Sequence, residues 1–441
     1  MRFKSIVTML LACATSSSVL RAQEKPIAFT GARIVPIVGD EIERGVLVVQ
    51  NGKIVAVGPV DRVQIPQDSE RRDVTGKIIM PGLVDTHSHI GGPAGGDGSA
   101  PIQPDTRAAD AINVRDPGIQ KAQAGGITVA NVMPGSGHLL SGQTIYLKLR
   151  DGGTIDDLSI KLPDGTTAGG IKMANGTNSI RAGGGTFPGT RAKSAALVRE
   201  QYVRAQEYRD ELKRAGDNAE KRPERDLAME ALVEVLDRRR VVHHHTHRHD
   251  DILTVIRLSK EFGFRVVLHH VTDGWKVADQ IAAAGVPCSI IVVDSPGGKP
   301  ETKDLSFANG AILEKAGVLV SFHTDDGITD SRLLLRSPAL AVRAGMSRKG
   351  ALEAVTINGA KQLDLADRIG SIEANKDADF IVLSGDPLSV YTKVLETWVD
   401  GVRVFDRADP KDYLYAVGGY GASEDQLMHT DCFDDDDDGG H

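Results

Sequence analysis

Apolar positions fall into two regimes along the chain. From Ile27 to Lys77 they make short β-rich pieces separated by turn residues: AFTGARIVPIV, GVLVVQNGKIVAVG and RRDVTGKIIM. Asn51-Gly52, between two Val/Ile-rich runs, predicts a hairpin, because both residues tolerate the left-handed backbone of a tight turn. The same texture returns near the other end, in ADFIVLSG and in TWVDGVRVF around Asp400-Gly401. Together they predict one small β-sandwich domain built from residues 23–81 and 368–410, with the middle of the chain inserted into it.

The middle, residues 82–367, alternates short apolar runs with helical stretches. The strand candidates are GLVDTHSH, ITVANVM, TIYLKL, GGIKMA, VVHHHTH, RVVLHH, PCSIIVV and VLVSFHTD. Helical patterns at Ala192–Gly216, Leu227–Arg240, Ile252–Gly263, Lys276–Gly285 and Lys349–Leu363 fall mostly between them. Eight such units predict an α/β fold, a TIM-type (β/α)8 barrel with a parallel inner sheet, whose chemistry sits at the C-terminal strand ends.

Composition then narrows the picture. The 441 residues are 41% hydrophobic and 25% charged with a net charge of −8, ordinary for a soluble globular enzyme. No basic stripe interleaved with aromatics is present, which argues against a nucleic-acid partner. The first 22 residues read as a secretory signal: Arg2 and Lys4, an apolar stretch Ile6–Ala14, and a cleavage site at Leu20-Arg21-Ala22. The apolar run is too short for a membrane span, and export to a periplasmic or extracellular space is expected. Leu10-Leu11-Ala12-Cys13 also resembles a lipoprotein processing site, which would put a lipid anchor on Cys13. Cys288 lies in an apolar run and reads as a buried small hydrophobe, so no disulfide framework is expected. Residues 411–441 are expected to be a disordered acidic tail ending DCFDDDDDGGH.

Histidine carries the candidate chemistry. Eleven of 13 lie between His87 and His323, nearly all at predicted strand ends. His87 and His89, two apart on a strand, share a face and can reach one point together, and imidazole is the commonest transition-metal ligand. VVHHHTHRHDD places His243, His245 and His247 on one parity; His245 is expected as a ligand and His247 nearer the rim. A His-rich surface tract that binds metal loosely is the bland alternative. The next strand ends in His269 and His270, of opposite parity, so only one is expected to point inward. VSFHTDDG offers His323, Asp325 and Asp326, either as ligand and proton shuttle or as an acidic turn capping the next helix. Lys172 in GGIKMANG is unexpected in a buried strand; it either snorkels to the rim or is modified to a metal-bridging carbamate.

A His-x-His on strand one, a lysine on strand four, histidines on strands five and six and an aspartate on strand eight together resemble the amidohydrolase superfamily. More narrowly the chain resembles the imidazolonepropionase-related branch, which includes prolidase-like dipeptidases. The likeness runs from about Ile27 to Phe405 through GGITVANVMPGSGHLLSGQ, GIKMANG, HTHRHDDI, HHVTDGWKVAD and SIEANKDADFIVLSGDP. It implies that His87, His89 and Asp325 hold one divalent metal. Lys172, carboxylated, bridges to a second held by His245 and His270, zinc being the expected ion. His270 rather than His269 matches, since it directly precedes VTDGWKVAD. His247, His323, His138 and Asn175 are then candidates for orienting groups or substrate contacts. The activity implied is hydrolysis of an amide, peptide or cyclic amide by a metal-bridging hydroxide, with Asp325 moving the proton, on a small-molecule amide or peptide substrate. The segment GIKMANGTNSIRAGGGTFPGTR departs from the prolidase-like members after their lysine. The alternatives are a one-metal imidazolonepropionase- or deaminase-type hydrolase, and a non-catalytic exported metal-binding protein.

Overall fold

The computed structural model describes residues 25–93, 95–181, 185–291 and 299–418. The expected signal segment, Cys13, Cys432 and the final acidic run therefore lie outside the described residues.

Five strands open the chain: β1 (Ile27–Ile34), β2 (Ile42–Gln50), β3 (Lys53–Pro59), β4 (Glu70–Asp73) and β5 (Ile78–Pro81). Nine follow: β6 (Leu83–Ser88), β7 (Ile127–Val132), β8 (Leu140–Gln143), β9 (Ile145–Lys148), β10 (Ile171–Ala174), β11 (Val242–Thr246), β12 (Val266–His270), β13 (Cys288–Ile290) and β14 (Val320–Phe322). The chain closes with β15 (Phe380–Leu383), β16 (Val394–Val399) and β17 (Val402–Asp406).

Strands from both ends share one sheet, ordered β17-β16-β15-β5-β1-β2-β3 with β4 beside β1. The seam is β15 antiparallel to β5, Phe380 facing Pro81. The expected hairpin at Asn51-Gly52 forms, and a second forms at Asp400-Gly401. Asn51 and Gly52 have φ of 53° and 75°, Asp400 and Gly401 48° and 72°, the left-handed pair that a two-residue turn needs. A compact aromatic core of Phe29, Phe380 and Trp398 locks this sheet, with Phe29 centred 5.0 Å and 5.1 Å from the other two rings.

The middle is α/β of TIM-barrel type. β10 to β14 run parallel in chain order, and β6 runs parallel to β7. The segment after β14 returns to β6: Thr324 N donates to Asp85 Oδ1 at 3.0 Å and Asp325 N to His87 O at 2.9 Å.

The third expected βα unit is not one. β9, in TIYLKL, runs antiparallel to β7, and β8 antiparallel to β10. Between β7 and β8 the chain reads MPGSGHL, too short and too rich in Gly and Pro to build the helix that a parallel crossover requires. Two further expectations are corrected. The helix read over Lys349–Leu363 is two, Arg348–Ala354 and Ile357–Gln362, broken at Val355-Thr356. The first residues of the expected tail are helical, Pro410–Val417, because Asp409 accepts from Lys411 N and Pro410 fits the first helical turn. Cys288 is a buried free cysteine, as its apolar run implied.

β9 also ties the two parts together. Lys148, fully buried, contacts Asp377 at 2.6 Å, Asp379 at 3.2 Å and Asp400. Asp377 accepts in addition from Lys53 at 2.6 Å and Arg368 at 3.1 Å. Burial pushes the Asp377 carboxyl upward, but Lys148 and the other cations outweigh it and hold it at about 2, below its ordinary 3.8. A group depressed on folding stabilises above its unfolded pKa and loses that contribution as pH falls through the folded one. Urea unfolding of the wild type should therefore lose stability between pH 3.8 and about 2. Asp377→Asn, less stable at pH 7, should lose less across that window. Parallel losses in the two proteins would remove Asp377 as the linked group.

Candidate metal centre

β6 delivers His87 and His89, and both are fully buried. His87 sits at the middle of a ring of imidazoles, centred 5.1 Å from His89, 5.0 Å from His269, 4.9 Å from His270 and 5.0 Å from His323. Lys172 Nζ lies 3.0 Å from His87 Nε2, and Asp325 Oδ1 lies 3.3 Å from that same nitrogen and 2.9 Å from His89 Nε2. Asp325 Oδ2 is 3.8 Å from His270 Nδ1, which is 3.1 Å from His323 Nε2. Two imidazole nitrogens, an amine and a carboxylate thus converge on one point that water does not reach.

The surroundings aim these groups. His89 Nδ1 is 2.8 Å from Met133 O, so its Nε2 faces Asp325. His323 Nδ1 is 2.7 Å from Ser289 Oγ, itself 2.6 Å from Thr86 Oγ1. Such outer hydrogen bonds fix the tautomer and direction of a ligating histidine. Asp85 receives bonds from Thr324 N and Oγ1 and from His87 N; burial nevertheless pushes its carboxyl up to about 7.

The electrostatics suit a cation. Burial first, then the Lys172 charge, hold His87 well below its usual value. His245, His269 and His270 are likewise well below theirs, through burial and neighbouring histidines. Burial would raise Asp325, but the His89 hydrogen bond and the charges of the site keep it ionised, well below the carboxylate range. Neutral imidazoles beside an ionised carboxylate are a metal-ready donor set. Among the described residues, His87 Nδ1, His270 Nε2 and both ring nitrogens of His245 have no hydrogen-bond partner. Buried polar atoms are rarely left so, and an ion would satisfy His270 Nε2 and one nitrogen of His245, whereas His87 meets Lys172 and Asp325 through its other nitrogen, Nε2. His87, His270 and Asp325, and separately His87, His269 and His323, each bring ligand atoms within 4.8 Å of one another.

Lys172 is completely buried, with Met133 Sδ at 3.3 Å, so it does not snorkel to the rim. Asp325 and Asp326 do not cap the next helical turn, Ser331–Leu333, whose cap is Asp330. His245 packs against His247 and His270, ring centres 4.6 Å and 4.4 Å away. The parity rule for His269 and His270 fails, since both rings reach His87. His270 has φ of 68°, so the alternation of the strand ends one residue early. His243, of the expected inward parity, bonds Tyr146 Oη at 2.9 Å and His269 at 3.0 Å. Asn175 Nδ2 donates to Asp251 O at 3.2 Å, and His138 lies against Phe187, ring centres 5.3 Å apart.

Sequence reasoning missed Glu301. It lies in a short turn within KPETKD, where nothing distinguishes it from a solvated charge, yet it is buried beside His245 and His247.

Comparison with known proteins agrees with this geometry. The pattern of the Amidohydrolase family matches residues 78–404. The solved structure of an amidohydrolase from Thermotoga maritima superposes with a TM-score of 0.81 at 35% identity, over 86% of this chain and all of that one. An imidazolonepropionase from Deinococcus radiodurans is 27% identical over 78% of this chain and 86% of its own length. The amidohydrolase tasK of Hapsidospora irregularis is 28% identical over 83% of this chain, which spans only 39% of that protein. No helix among the described residues is long and apolar enough to cross a membrane.

Proposed function

The chain belongs to the amidohydrolase family, hydrolases of carbon–nitrogen bonds, and on that premise we propose that it cleaves an amide, peptide or cyclic amide with two divalent ions, zinc in kind. His87, His89 and Asp325 would hold the inner ion. His245 and His270 would hold the outer one, with Lys172 as a carbamate between the two. The observation that carries this reading is the convergence of His87 Nε2, His89 Nε2, Lys172 Nζ and Asp325 Oδ1 on one buried point. When bound, such ions polarise a carbonyl and bring the pKa of a water down to about 7.

The chain's own residues do the rest. Asp325 is ionised, with Oδ1 on His89 and Oδ2 toward His270, so it can take a proton from water and pass it to a leaving nitrogen. Thr86, Ser289 and His323 form a hydrogen-bonded chain that ends on His270 Nδ1 and holds that imidazole in place. His247, 2.7 Å from Thr272 Oγ1, stands beside His245 at the mouth, where it can meet substrate. His138 and Asn175 are assigned further out, as orienting groups.

We further infer that the parallel strands close into a complete barrel, residues 82–367, inserted into a β-sandwich formed by residues 23–81 and 368–410. Residues 1–22 are read as a secretory signal and the mature enzyme as periplasmic or extracellular; this rests on the Arg2/Lys4 start and the apolar run after it.

The decisive experiment is to purify the mature chain, count its metals and assay dipeptides, N-acyl amino acids and lactams. Two ions per chain and turnover of one of these classes are expected. One ion with full activity would favour the imidazolonepropionase- or deaminase-type mechanism, which the Deinococcus relative makes the second reading. Two ions with no turnover would leave the centre standing and remove these substrates. A non-catalytic metal-binding role would instead require His245→Ala to leave metal binding intact while removal of the acidic tail abolished it.

A further inference from the structure

A third group of side chains has the make-up of a metal site: His245, His247 and Glu301, with ligand atoms within 4.8 Å of one another and all three residues buried. His247 lies just past the end of β11, and Glu301 lies in the turn Pro300–Thr302 after β13, so the group stands on the C-terminal side of the strands. We propose that these three hold a divalent transition-metal ion at the rim, as a second position for the outer ion, with His245 common to both positions.

Three independent features point to a ligand there. Among the described residues Glu301 is held by one oxygen: Oε2 accepts from Thr177 N at 3.0 Å and from Arg191 Nη2 at 3.2 Å, while Oε1 has no hydrogen-bond partner there. A buried carboxylate oxygen without a donor is costly unless a cation meets it. His247 Nδ1 is engaged by Thr272 Oγ1 at 2.7 Å, the kind of outer bond that leaves Nε2 aimed as a ligand. Neither ring nitrogen of His245 has a hydrogen-bond partner among the described residues. Two imidazoles and one glutamate are a donor set that zinc takes in catalytic sites, with a position left open.

The backbone is shaped around the carboxylate as well. Gly176 has φ of +82°, and a Cβ there would sit 2.7 Å from Glu301 Oε2, so only glycine lets the chain wrap it. The nearby cations are engaged elsewhere in part. Lys299 Nζ donates to Asn178 Oδ1 at 2.5 Å, and Arg191 divides its guanidinium between Glu301 and Asp251. Because His245 also packs on His270, an ion held at the rim and one held between His245 and His270 compete for the same imidazole. The rim is therefore a loading or exchange position for the outer ion.

This inference rests on the two-ion reading for the deeper position, and cobalt(II) separates the two. The metal-depleted full chain is titrated with cobalt(II), following visible absorption and bound metal per chain. The wild type should bind two ions. Lys172→Met, which removes the bridging group, should still bind a second cobalt by placing it at the rim. Lys172→Met combined with Glu301→Gln, or with His247→Gln, should bind that second ion at least tenfold more weakly. Loss of the second cobalt in Lys172→Met alone overturns the rim site, as does its undiminished retention in both double variants. A single cobalt in the wild type would overturn the two-ion reading. In that case a cobalt spectrum altered by Glu301→Gln keeps the rim site, and an unaltered spectrum removes it.

Discussion

Asp325→Asn is expected to keep both ions bound and to lower kcat by about a hundredfold to ten-thousandfold, the usual range for a lost general acid–base group. The substitution is well conditioned. Asp325 has φ of 50°, a left-handed conformation that asparagine adopts at least as readily as aspartate, so the substitution adds no strain to the backbone after β14. The amide oxygen can still face His89 Nε2, now 2.9 Å from Oδ1, and still meet a metal. What disappears is basicity. In the native site the carboxylate is ionised despite burial, through the His89 hydrogen bond and the charges around it; an amide has no proton-accepting equivalent. Metal analysis and kcat on whichever substrate the panel identifies would check this. A variant with two ions and wild-type kcat would take Asp325 out of the proton path. A variant that loses metal would make its role one of holding the ion rather than moving the proton.

The inner half of this site was legible because its signals are local. His87 and His89 are two residues apart on a strand, and that spacing alone puts both rings on one face. The Asn51-Gly52 turn was legible for the same reason, since a two-residue turn is dictated by the two residues that make it. Some readings that needed information from outside their own segment failed. TIYLKL has the composition of a barrel strand, but the segment that joins β7 to β9, residues 133–144, holds β8 and no helix, and β9 runs antiparallel to β7. Parity forbade His269 and His270 from facing the same way, but the left-handed turn at His270 suspends parity. Glu301 had no signal at all. Its meaning comes from being folded over Gly176 and against His245 and His247, residues far away in sequence.

The same distinction explains Lys148, a lysine in a short apolar strand that looks like an error until the partner strands arrive. Lys148→Met should destabilise the protein by about 3–5 kcal/mol, the cost typical of removing one partner from a buried ion pair. Methionine preserves most of the side-chain volume, so the effect isolates charge. Its removal leaves Asp377, Asp379 and Asp400 facing one another with one fewer cation between them, although Lys53 and Arg368 still reach Asp377 and Arg150 still reaches Asp400. Asp379 suffers most. Burial already raises its carboxyl despite Lys148, with Asp400 and Asp377 adding to the rise. Without the ammonium it should fold protonated. Asp379→Asn in the Lys148→Met background should accordingly recover part of the loss, a coupling that a double-mutant cycle measures directly. Because this network joins β9 to the β16–β17 turn, the damage falls on the seam between the α/β middle of the chain and the terminal sheet. Metal content of the protein that remains folded should not change. Urea unfolding at pH 7 decides it: a Lys148→Met midpoint equal to that of the wild type would mean that the three carboxylates are satisfied without the lysine, and that the seam is held by its apolar strands alone.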